Sequence, residues 1–145
     1  MTIETLEQRR GIMAEIKALD AEITALYDVR RSPNGKESSG NTSGPSSPTE
    51  RAAMKIIELR AKRDAILREW ERSTAEIETW LETVTDADIR SIIRWHYVLG
   101  YTWKRTSREV YGTDSYYRAR KKIIRYFEKK IDMSKMSKTF SVIVM

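Results

Sequence analysis

From Ala52 onward one set of side chains falls alternately four and three residues apart: Ala52, Ile56, Leu59, Arg63, Ile66, Trp70, Ser73, Ile77, Trp80 and Val84, apolar except at Arg63 and Ser73. That spacing draws one narrow stripe along a helix, the seam of a coiled coil; a strand, whose side chains alternate, cannot carry it. A second stripe precedes it, made of Ile12, Ile16, Leu19, Ile23 and Leu26 with Ile3 and Leu6 as a looser lead-in. Between the two, residues 32–49 hold all three prolines, three of the six glycines and no apolar side chain. Such a stretch buries too little to offset the entropy of ordering it, so a disordered linker is expected there. Its glycines neither follow a strand nor precede a Gly-Lys-Ser/Thr run, which argues against a phosphate-binding loop. A linker of that length lets two helices fold back on each other, each covering a stripe the other cannot bury alone. Residues 1–84 are therefore expected to form an antiparallel helical hairpin, a coiled-coil arm. The alternative is that each stripe packs on the rest of the chain or zips onto a second copy, giving a homodimer.

The 145 residues include no Cys and one His, His96. Disulfide frameworks, zinc sites, cysteine nucleophiles and histidine triads fall away, and no cofactor or metal is expected. Asp86, Asp88 and Glu109 read as caps and solvated charges, so the chain is not expected to be an enzyme. No apolar run approaches the length of a membrane span, and Met1-Thr2-Ile3-Glu4 does not open a signal peptide. A soluble, cytoplasmic protein without membrane contact is expected. Charge is the more telling quantity: residues 1–84 carry 13 Lys/Arg against 15 Asp/Glu, residues 85–145 carry 14 against 6. Solubility does not require that segregation; a polyanionic partner for the C-terminal third would.

In that third, Thr85 followed by Asp88 reads as a capping box opening a helix that places Ile89, Ile92, Ile93, His96 and Tyr97 on one face and stops at Gly100. Thr102 caps a short helix with Trp103, Thr106, Ser107 and Val110 inward, closed by Gly112. Thr113, with Asp114 and Ser115 behind it, caps a third helix running to about Ile131. Three helices over residues 85–131, the last two joined by a tight glycine turn, give the helix-turn-helix outline. The third helix holds seven Lys/Arg and one acid between Ser115 and Ile131. Placing Tyr116, Ala119, Ile123 and Phe127 inward sends Ser115, Tyr117, Arg118, Lys121, Lys122 and Arg125 outward. Its first turns suit base edges in a major groove, while the later cations, with Lys104, Arg105 and Arg108 on the preceding helix, suit phosphates. The plainer reading, a merely solvated basic face, leaves the caps, the turn and the confined charge unexplained. His96 reads as a packed core histidine. Trp95, Tyr97, Tyr101 and Trp103 read as the small core of the module rather than a stacking platform. Residues 132–145 form a C-terminal tail whose last six residues have strand propensity.

The run Asp88-Ile89-Arg90-Ser91-Ile92-Ile93-Arg94-Trp95-His96-Tyr97-Val98-Leu99-Gly100-Tyr101-Thr102-Trp103, followed by Arg108-Glu109-Val110-Tyr111-Gly112, resembles region 4 of sigma-70-type factors. It is most similar to small phage regulators of the ArpU and RinA type, which also carry an N-terminal helical hairpin interrupted by a Ser/Pro/Gly-rich stretch. One departure stands out: Thr106-Ser107 occupies the place of the family's usual Ile-Ala pair. The resemblance implies a regulator of phage or prophage late genes that binds double-stranded DNA, with the helix at 114–131 in the major groove, working alongside RNA polymerase. Two other classes stay open. A small terminase-like packaging component also joins a helix-turn-helix to a coiled coil, though in the opposite order. A protein-interaction module could instead grip an acidic surface, such as polymerase, without touching DNA.

Overall fold

The computed structural model describes residues 1–31 and 47–143, and every regular element among them is helical. The order is α1 (Ile3–Arg31), α2 (Pro48–Leu81), α3 (Ala87–Ile93) running on through a π-helical turn (Arg94–Val98), α4 (Trp103–Tyr111) and α5 (Tyr116–Ile143). No helix among the described residues is long and apolar enough to cross a membrane. Residues 32–46 of the expected linker lie outside the described residues. Its last residues start α2: the Ser47 hydroxyl accepts the Glu50 N–H at 3.2 Å, and Pro48 takes the first helical position, where a missing N–H costs nothing. Ser47 is thus a helix cap embedded in what composition alone reads as linker.

The chain divides into two compact units, one spanning Gly11–Arg72 and the other joining Met1–Arg10 to Ser73–Met145. Neither cut falls at the expected 84/85 boundary. In the first unit, Leu19 and Ile23 of α1 bury against Ile56 and Leu59 of α2, with Leu26, Tyr27 and Ile66 at the margin. Arg63, a polar break in the seam, pairs with Asp20, and Arg60 donates to the Tyr27 hydroxyl. The partners descend along α2 as they ascend along α1. The Asp20–Arg63 pair is roughly a third to a half exposed and contributes at most about 1 kcal/mol, so the burial of the stripe dominates.

In the second unit a single cluster buries Leu6 of α1, Ile77 and Leu81 of α2, Val84, Ile89, Ile92, Ile93 and Tyr97, Trp103 of α4, and Ala119, Ile123 and Phe127 of α5. Arg9 lies within this unit at 1 % exposure, donating to the Ser73 and Thr74 hydroxyls and to the Tyr97 carbonyl at 3.2 Å. Burial pulls its guanidinium below the usual arginine range. The second polar break in the α2 seam, Ser73, is therefore an acceptor for a buried cation. Leu81, outside the four-three rhythm, is buried in place of the half-exposed Trp80, which stacks on Phe127 with ring centres 5.9 Å apart.

The expected cap of α3 moves by one residue. Asp86, not Thr85, accepts the Asp88 and Ile89 N–H groups at 2.9 and 3.4 Å, since its carboxylate reaches two amides that a hydroxyl at 85 does not. α3 and the π-helical turn end at Gly100, whose φ of +78° only glycine adopts cheaply. Thr102 caps α4 by accepting the Arg105 N–H at 3.2 Å, and Gly112, at φ +71°, closes it on the Arg108 carbonyl. The expectation for α5 needs three corrections. It begins at Tyr116 rather than after Thr113, whose hydroxyl is buried without a hydrogen bond. Tyr116 is 48 % exposed rather than packed inward, because the first residue of α5 to meet the core is Ala119. The expected tail is helix as far as Ile143, with no glycine or proline after Gly112 to stop it; Val144 and Met145 lie outside the described residues.

Candidate nucleic-acid interface

Two contacts fix α5 on its neighbours. Ala119 reaches zero exposure against α4, and its N–H, one of the four that the start of a helix leaves unpaired, donates to the buried Ser107 hydroxyl at 3.1 Å. The departure from Ile-Ala thus has two halves. Ser107 is small enough for a close crossing and also caps the next helix, while the hydroxyl of its neighbour Thr106 is buried with no hydrogen bond. Farther along, Ile123 and Phe127 enter the core on the same face.

The opposite face carries the charge. Ser115, Tyr117, Arg118, Lys121 and Arg125 are exposed. The Arg118 guanidinium lies 4.4 Å from the ring centre of Tyr111, and the Lys121 ammonium 5.9 Å from that of Tyr117. Lys122, expected to be free, is half-buried and ion-paired with Asp86 at 3.2 Å. Burial alone would raise the Asp86 carboxyl, but Lys122 and the two capping N–H groups outweigh it and hold it below the usual carboxylate range; Asp86 in turn raises Lys122. Lys122, Arg125, Tyr126, Lys129 and Asp86 line an open pocket of about 270 Å³.

On α4, Lys104, Arg105 and Arg108 are all exposed. Arg108 is ion-paired with Asp114, whose hydrogen bond raises the guanidinium and lowers the carboxyl. Arg105 stacks 3.7 Å from the centre of the Tyr101 ring, which itself stacks on Trp95 at 5.0 Å. The four aromatics therefore divide: Tyr97 and Trp103 belong to the core, while Trp95 and Tyr101 are half-buried beneath a cation. Among the described residues Lys104, Arg105, Arg118, Lys121 and Arg125 have no ion pair, in contrast to Arg108 and Lys122. Arg120, outside the expected set, is also exposed on α5.

Behind this face sits a buried polar network. His96 is fully buried, with its ring stacked on Trp103 at 3.5 Å between centres. Its Nδ1 lies 2.6 Å from the Tyr101 carbonyl, which can only accept, so the proton is on Nδ1 and Nε2 accepts from Arg10 at 2.7 Å. Burial first, and the Arg10 charge second, push its pKa down to about 3. The Tyr97 hydroxyl donates to Glu7 at 3.0 Å, and burial raises its pKa well above the phenol range. A neutral histidine fixed at both nitrogens supports the loop rather than moving protons. Among the described residues no group of His, Cys, Asp and Glu is placed to hold a metal ion. No protein-family model, curated protein or solved structure matches this chain.

Proposed function

We propose that this protein is a sequence-specific regulator of transcription that binds double-stranded DNA through a helix-turn-helix made of α4, the Gly112 turn and α5, with the first turns of α5 in the major groove. The observation that carries this reading is the two-sidedness of α5. Ala119, Ile123 and Phe127 anchor it while Arg118, Lys121 and Arg125 are exposed and without an ion pair. In this reading Lys104, Arg105 and Lys121 meet phosphates and Arg118 meets base edges. The descending order of contacts between α1 and α2 supports a coiled-coil hairpin for the N-terminal part. The likeness of residues 88–112 to sigma region 4 and to phage regulators supports a late-gene role in the bacterial cytoplasm, beside RNA polymerase.

Selection from a random-sequence duplex pool tests the reading. Recovery of one sequence motif is expected, with log affinity falling against log salt at a slope near −5 if about six phosphates are neutralised. Arg118→Ala should cost roughly 1–3 kcal/mol at one base position, whereas Lys121→Ala should weaken all sequences alike. No retention of any duplex at low salt would overturn it.

A further inference from the structure

At the start of α5, Tyr116, Tyr117 and Arg118 are exposed and the first buried residue is Ala119. The first turn of α5 is therefore anchored by Ala119 and open on its other side. It carries two large aromatic rings, Tyr116 at 48 % and Tyr117 at 59 % exposure, packed edge to face with centres 5.1 Å apart. A pair of tyrosine rings offers a large, rigid contact surface with polar tips, of the kind enriched at binding interfaces. Its surroundings select the occupant. Arg118 and Lys121 flank it without an ion pair, and the nearby carboxylate of Asp114 is already bound by Arg108. An apolar patch ringed by free cations fits an apolar group embedded in a polyanion. The major groove of DNA offers one such group, the C5 methyl of thymine.

We infer that Tyr116 and Tyr117 are specificity-determining residues that read thymine methyl groups, an inference that rests on the DNA-binding reading above. The test uses the full chain and the best duplex from the selection, with each thymine replaced in turn by uracil, which removes the methyl and keeps every Watson–Crick bond. At one or two positions uracil should lower affinity about three- to fourfold, the worth of one buried methyl-sized group. Tyr116→Ala and Tyr117→Ala, both at exposed positions and expected to fold, should bind thymine and uracil duplexes equally. Uracil tolerated everywhere in a duplex that is still selected, or a selected site without thymine, would overturn this inference and leave DNA binding standing. Absence of any selected duplex, or a preference for single strands, would overturn both.

Discussion

His96 is held by its environment in the one state that fits it. Both ring nitrogens are used, Nδ1 as donor and Nε2 as acceptor, so a second proton would break the bond from Arg10 and place two cations together. The linkage sign follows. The folded chain keeps His96 neutral down to about pH 3, while the unfolded chain binds the proton near 6.5. The unfolded state therefore takes up the extra proton as the solution is acidified, and stability present above pH 6.5 is lost progressively toward pH 3. The expected slope between pH 6 and 4 reaches about 1.4 kcal/mol per pH unit from this group. Urea denaturation at stepped pH would measure it, and His96→Gln should flatten the profile in that window. A wild-type profile level from pH 7 to 4 would refute the assignment.

Between elements, the junction of α4 and α5 turns on two adjacent hydroxyls with opposite expected effects. Ser107→Ala removes the acceptor for the Ala119 N–H and should destabilise by about 1 kcal/mol, as the loss of a helix cap does. Thr106→Val keeps the shape and removes a buried hydroxyl without a partner, so it should stabilise by roughly 1 kcal/mol. Thermal melting of the two variants checks the pair, and a loss of stability in Thr106→Val would count against the packing described. These junctions also show what the sequence makes legible. Thr102, Gly112 and the spacing of Ala119, Ile123 and Phe127 are local signals, each decided within one or two helical turns, and they could be read directly. Arg9 could not, because it is a cation whose acceptors lie 64 to 88 residues away. Leu81 escaped because the four-three rhythm ceases to describe α2 where it meets the α3–α5 cluster rather than a single partner helix. The exposure of Tyr116, and with it the aromatic turn at the proposed interface, depended on where α5 starts. Three successive capping candidates, Thr113, Asp114 and Ser115, left that point ambiguous.

At the scale of the whole molecule, the unit that carries the cationic helix is assembled from both ends of the chain. Residues 85–131 alone look like a self-sufficient three-helix module, but their core is finished by Leu6 from α1 and by Ile77, Leu81 and Val84. Arg9 and Arg10 bond the same face through the Tyr97 carbonyl and His96. Leu6 is fully buried, and its loss alone should remove about 2–5 kcal/mol, a large share of the stability of a small domain. Deleting residues 1–10 should therefore lower the melting temperature, and weaken the proposed DNA binding, without removing a single residue of the cationic face. Replacing the exposed residues Met133 and Met136 of α5 by Ala should, by contrast, leave the fold largely intact. Hydrogen exchange locates the effect. In the deletion variant, protection should fall at the amides of Ile92, Ile93 and Tyr97, some ninety positions away in sequence yet adjacent in the core. Unchanged protection there would mean that the C-terminal module folds without its N-terminal support, and the core would have to be redrawn around residues 85–131.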